Sequence, residues 1–127
     1  MIVGIGVDIV DVDRIKQRIE AGTGFRDLVF SSDEIAYCEK KTNLYESYAA
    51  RFAAKEAFLK AVGCGIDFSI ELKEICVANN KIGKPYFIIS EIVERFLIQH
   101  LGFIPDTQIS LSHSKQQAIA FVLFNKK

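Results

Sequence analysis

Ile2-Val3-Gly4-Ile5-Gly6-Val7-Asp8-Ile9-Val10-Asp11-Val12 is β-branched and apolar on both alternating faces, the composition of a strand covered on both sides. One acid stands in the middle of it. A lone ionised carboxylate at Asp8 would be costly to desolvate unless something pairs with it, so the position calls for a partner: an ion pair, a hydrogen bond or a ligand. Gly4 and Gly6 share the face of Asp8, because strand faces alternate with period two. Small residues beside an acid leave room for another backbone, an ion or a ligand.

Outward from this strand the chain reads as helices first and hairpins later. Asp13 is placed to cap a short helix over Arg14–Glu20, closed by the Gly22-Thr23-Gly24 turn. Ser31 with Glu34 forms a capping box that predicts a helix over Ser32–Lys40. Tyr45–Val62 is rich in Ala, Glu, Lys and Phe and predicts a long helix stopped by Gly63 and Gly65. Glu71–Ala78 and Pro85–Ile89 read as strands around an Asn79–Gly83 turn. Ser90 opens a helix over Glu91–His100, and Gln108–Ser112 and Ala118–Phe124 are alternating strands around a polar turn. The expected fold class is α+β, with a largely antiparallel sheet packed with helices. A chain of 127 residues predicts a single domain spanning 1–127.

Composition removes several classes of function. Sixteen basic residues balance sixteen acidic ones, which argues against a nucleic-acid partner. Half the residues are apolar, a surplus that suggests a covered subunit interface. Cys38, Cys64 and Cys76 are widely spaced, with no CxxC pair, and read as reduced thiols in a cytoplasmic protein. The N-terminus has no basic n-region, and no apolar run reaches the length of a membrane span, so neither a signal peptide nor a membrane is expected.

Glu56 is the second misplaced acid. On an α-helix it lies within about 40° of Phe52 and Lys60, on a surface with Ala49, Ala53 and Leu59 that looks made for packing. A Glu56–Lys60 surface pair would contribute only about 0.3–0.5 kcal/mol. Arg51 and Lys55, four residues apart, repel each other, so the charges of this helix are not arranged for its stability. Two carboxylates from separate elements suit Mg²⁺, which takes oxygen ligands and accepts phosphate oxygens. Lys60 is then placed to meet a phosphate, and Gly63 and Gly65 let a bulky ligand approach the backbone. His113 ends a strand and His100 sits near a helix C-terminus; neither belongs to a Ser/His/Asp or Cys/His arrangement.

Four ordered blocks carry a resemblance. They are Gly4-Ile5-Gly6-Val7-Asp8-Ile9-Val10, Arg51-Phe52-Ala53-Ala54-Lys55-Glu56-Ala57-Phe58-Leu59-Lys60-Ala61, Gly83-Lys84-Pro85-Tyr86 and Ser110-Leu111-Ser112-His113-Ser114. In order and spacing the chain resembles the holo-acyl-carrier-protein synthases, the short bacterial 4′-phosphopantetheinyl transferases, from residue 2 to about residue 124. The resemblance implies their fold and the Mg²⁺-dependent transfer of 4′-phosphopantetheine from coenzyme A to a serine of apo acyl carrier protein, with release of adenosine 3′,5′-bisphosphate. It implies Asp8 and Glu56 at the metal, Lys60 at the pyrophosphate, and Arg51, Gly63, Pro85, Ser112 and His113 in the coenzyme pocket. An acidic helix of the carrier is expected on Arg14, Arg18, Phe25 and Arg26. Asp11 stands where the family commonly has Glu, and Phe52 where larger relatives often carry Trp.

The mechanism that follows makes Glu56, directly or through a water, the acceptor of the serine proton, and Lys60 the stabiliser of the departing bisphosphate. Arg51 lies about 140° around its helix from Glu56, too far for both to reach one ligand in one subunit. A site shared between subunits resolves this, and the short family members imply a homotrimer. Other readings use the same residues: a Mg²⁺-dependent phosphohydrolase of a nucleotide pyrophosphate, a non-catalytic coenzyme A-binding module, or a structural oligomer with an acidic core.

Overall fold

A computed structural model describes residues 1–65 and 69–126 of the chain. The elements run β1 (Ile2–Asp11), α1 (Val12–Glu20), α2 (Phe25–Val29), α3 (Ser32–Glu39), α4 (Leu44–Val62), a 3₁₀ turn (Leu72–Glu74), β2 (Cys76–Asn79), β3 (Pro85–Ile88), α5 (Glu91–Leu101), β4 (Asp106–His113) and β5 (Gln117–Asn125). Every strand pairing is antiparallel: one sheet has the order β1-β5-β4, and β2 and β3 form a separate hairpin. The ends of the chain meet, with the Lys126 amide donating to the Met1 carbonyl at 2.8 Å. The α+β expectation holds.

Most boundaries follow the local chemistry. Glu34 N donates to Ser31 Oγ at 3.2 Å and Ser31 N to Glu34 Oε1 at 3.0 Å, completing the capping box of α3. Gly63 ends α4 in the left-handed region at φ 92°, a conformation that β-carbon-bearing residues avoid. Three expectations change. The N-cap position of α1 falls on Asp11, two positions before Asp13, and its side chain makes no capping hydrogen bond. The five residues of α2 lie where no helix was expected. The segment Glu71–Ile75 is mostly a 3₁₀ turn, and β2 begins only at Cys76.

Helix α4 crosses one face of the three-stranded sheet and is buried on nearly every side. Phe58 packs edge-on against Phe87 and Phe124, with ring centres 4.9 and 5.1 Å away. The room left by Gly4 and Gly6 is filled by backbone. A β-carbon on Gly6 would fall 1.9 Å from the Ala57 carbonyl oxygen, and one on Gly4 2.2 Å from that of Ala61. Strand and helix therefore touch main chain to main chain, and no rotamer change can relieve an added methyl. Gly6→Ala is expected to lower unfolding stability by about 3 kcal/mol, the upper part of the overpacking range; a urea midpoint equal to wild type would refute this contact.

The second face of the sheet corrects the reading of β1 as covered on both sides. Gly6 and Val10 are buried, but Val7 keeps 49% of its surface and Phe121, directly across from it on β5, keeps 42%. Ile5, Ile9 and Ile119 extend the same exposed apolar patch. This chain supplies no second layer for that face among its described residues. Burial pushes the Cys38 thiol up to about 12.

Candidate active site

The antiparallel register and the α4 contact bring the two misplaced acids to one cleft. Asp8, Asp11, Arg14, Arg18, Phe52 and Glu56 line a cavity of about 420 Å³ between β1, α1 and α4. The Glu56 carboxyl is raised above the ordinary glutamate value, first by burial and second by the negative charge of Asp8, with Lys60 opposing. Lys60 does not pair along its own helix. It reaches across to β1, donating to Asp8 Oδ1 at 3.1 Å and to the Val7 carbonyl at 3.0 Å. Gly63 closes the helix one turn beyond Lys60, and its amide donates to the Leu59 and Lys60 carbonyls. Two crowded carboxylates beside one lysine make an oxygen-rich corner of the cleft.

The expected carrier contacts sit partly on this cleft. Arg14 and Arg18 line it. Phe25 joins it through Phe52, with ring centres 6.0 Å apart, and the Arg18 guanidinium lies 5.6 Å from the Phe25 ring centre. Arg26 is different: its guanidinium is engaged with Asp27 at 3.5 Å and Glu39 at 3.8 Å.

The remaining predicted residues gather elsewhere. Arg51, Pro85 and His113 line a second cleft of about 190 Å³, together with Tyr37, Asn79 and Gly83. Ser112 and His113 border a shallow groove beside Ile9 and Ile119, at the rim of the exposed sheet face. Sequence reasoning missed two partners here. Glu46 meets His113 Nδ1 at 2.8 Å, and Asn79 accepts from Arg51 Nη2 at 2.6 Å. Glu46 opens a helix and Asn79 ends a strand, and no local pattern ties either to a residue dozens of positions away. Lys55, expected to repel Arg51, has partners of its own. It is fully buried, donating to Glu34 Oε1 at 2.7 Å and to the Ile75 and Leu72 carbonyls at 2.7 and 3.0 Å. That grip on two carbonyls explains the 3₁₀ turn found in place of a longer strand.

The 4′-phosphopantetheinyl transferase superfamily matches residues 4–122. The chain belongs to this superfamily. It is 70% identical over 126 residues to a holo-[acyl-carrier-protein] synthase of Cytophaga hutchinsonii, covering 99% of both chains. A holo-(acyl-carrier-protein) synthase of Bacillus anthracis, solved in complex with CoA (3′,5′-ADP), superposes with TM-score 0.81 at 36% identity over 100% of this chain and 99% of that one. The Neisseria meningitidis synthase gives TM-score 0.87 at 32% identity over 99% and 100%. In this member of the superfamily the acid pair lies at the cleft between β1 and α4, with Lys60 reaching Asp8, and Arg51 lines a separate cleft.

Proposed function

We propose that the chain moves the 4′-phosphopantetheine group of coenzyme A to a serine of apo acyl carrier protein, releasing adenosine 3′,5′-bisphosphate. The observation that carries this is the Asp8–Glu56 pair under Lys60, in a chain 70% identical along its length to a holo-[acyl-carrier-protein] synthase. The donor set fits Mg²⁺: two carboxylates, one of them raised by burial and by its neighbour, and room for waters and phosphate oxygens. When bound, the ion would neutralise pyrophosphate charge during transfer. Asp8 and Glu56 hold it in this reading, and Glu56 also accepts the serine proton. Lys60, on an exposed flexible stem, leaves Asp8 to stabilise the departing bisphosphate. Arg14, Arg18 and Phe25 receive an acidic helix of the carrier, with Arg26 contributing less because Asp27 and Glu39 already neutralise it.

Oligomeric assembly completes the proposal. The exposed Val7–Phe121 patch needs covering, and Arg51, Pro85, Ser112 and His113 lie apart from the acids of their own chain. A homotrimer joined through the open sheet face lets each Arg51 cleft serve a neighbour's Asp8–Glu56 cleft, with coenzyme A spanning both. Val7→Glu is expected to sediment as a monomer and to lose transfer activity; a fully active monomer would refute shared sites. No helix among the described residues is long and apolar enough to cross a membrane. The carrier in this reading is the cytoplasmic one of fatty acid synthesis.

The deciding assay mixes the protein with apo carrier, coenzyme A and Mg²⁺. Mass spectrometry is expected to find phosphopantetheine on the carrier, and EDTA is expected to prevent it. Coenzyme A consumed with the carrier unmodified would replace transfer by hydrolysis.

A further inference from the structure

Arg51 is a buried cation without a counter-ion. It is 3% exposed, and no carboxylate lies within ion-pair distance among the described residues. A guanidinium stays protonated under any physiological condition, so its charge must be met by dipoles, by an aromatic face or by an outside anion. Two of these are visible. The guanidinium lies 4.0 Å from the ring centre of Tyr37, and Nη2 donates to Asn79 Oδ1 at 2.6 Å. Nε is buried and finds no acceptor. The chain thus holds this cation in place without neutralising it.

Asn79 is itself fixed. Its Nδ2 donates to the Gly83 carbonyl at 2.9 Å, so the amide oxygen has to face Arg51. Gly83 sits at φ 87°, in a turn that Asn80 closes by accepting from the Ile82 and Lys84 amides at 3.0 and 2.9 Å. One amide therefore ties the guanidinium on α4 to the rigid tip of the β2–β3 hairpin, on the wall of the cleft that Pro85 and His113 also line.

We propose that Asn79 is a positioning residue for coenzyme binding: as a neutral amide it orients the Arg51 guanidinium while leaving its positive charge for an anionic group of the coenzyme. This rests on the reading of the Arg51 cleft as part of the coenzyme pocket. A carboxylate at position 79 would pair with Arg51 and cancel its field at the cleft, and it would also lose the donor to the Gly83 carbonyl. The amide does two things at once: its oxygen meets Arg51 without neutralising it, and its nitrogen holds the Gly83 carbonyl.

The test measures adenosine 3′,5′-bisphosphate binding by titration calorimetry, and melting temperature, for Asn79→Asp, Asn79→Ala and Arg51→Ala. Asn79→Asp is expected to weaken binding by about tenfold or more, since a new ion pair competes with the ligand for one cation. Asn79→Ala frees the guanidinium without neutralising it and is expected to weaken binding less, by about threefold. In turnover assays both losses fall on KM for coenzyme A far more than on kcat. Asn79→Asp binding as tightly as wild type, or binding losses that only follow melting temperature across the two variants, would overturn the role of Asn79. Wild-type binding by Arg51→Ala would instead remove the coenzyme reading of the cleft, whereas a loss there with both Asn79 variants unaffected overturns the Asn79 inference alone.

Discussion

Glu56→Gln is expected to lower kcat at saturating Mg²⁺ by about 10²–10⁴-fold, the range for loss of a general base, while making the metal-free protein more stable at neutral pH. The second half follows from the sign of the shift. Burial, then Asp8, raises the Glu56 carboxyl above its ordinary value, so the folded chain holds that proton more tightly than the unfolded chain does. The stability linked to the proton is complete below the ordinary glutamate value and is lost as pH rises through the raised one. At neutral pH the ionised Glu56 is therefore a burden that Gln does not carry. Melting temperatures in EDTA should favour the variant near neutrality and converge with wild type in acid. Adding Mg²⁺ should stabilise wild type more than the variant, because only wild type keeps both carboxylates. Near-normal turnover would remove Glu56 from the mechanism, and a variant less stable than wild type in EDTA at neutral pH would contradict the crowding of the two acids.

Lys55→Met is expected to destabilise the fold by about 3–5 kcal/mol, since it leaves Glu34 as an unpaired buried carboxylate. The Lys55 ammonium is pulled below the ordinary lysine value by burial, with Glu34 opposing. The pair is thus no great source of stability by itself; the cost lies in breaking half of it. Glu34 cannot simply be deleted in compensation, because its oxygens also accept from the Ser31 and Val77 amides at 3.0 and 2.9 Å. Lys55→Met/Glu34→Gln keeps an uncharged acceptor and should recover part of the loss. Urea unfolding of wild type and both variants measures this, and a single variant within about 1 kcal/mol of wild type would show that Lys55 is not the tie described.

Much of this arrangement was legible in the sequence. Asp8 and Glu56 stood out because an acid among apolar neighbours needs a reason, and the fold brought both to one cleft. The capping box and the glycine after α4 rest on contacts within four residues, so local reading sufficed. Lys55 was not legible: its partners Glu34, Leu72 and Ile75 lie 17 to 21 positions away. Its grip on two carbonyls is also why the chain turns at Leu72–Glu74, where a strand over Glu71–Ala78 was expected. The short α2 lies between a glycine turn and Phe30, too brief for periodicity to register. Composition marked both faces of β1 as apolar, but it does not say whether the cover is part of the same chain, and the described residues cover only the Gly6 face.

The sheet order has a consequence for biosynthesis. β5, the middle strand, leaves the ribosome after both of its neighbours, and it separates the first-made strand from the one made just before it. Until β5 emerges, β1 can rest on α4 through its glycines but lacks its hydrogen-bonding neighbour, and β4 lacks one on that side too. The closing step joins residues more than a hundred positions apart, a long-range pairing of the kind that slows folding. A nascent chain would therefore wait with two strand edges open until β5 follows, and a stop before β5 would remove the seam of the sheet instead of its fringe.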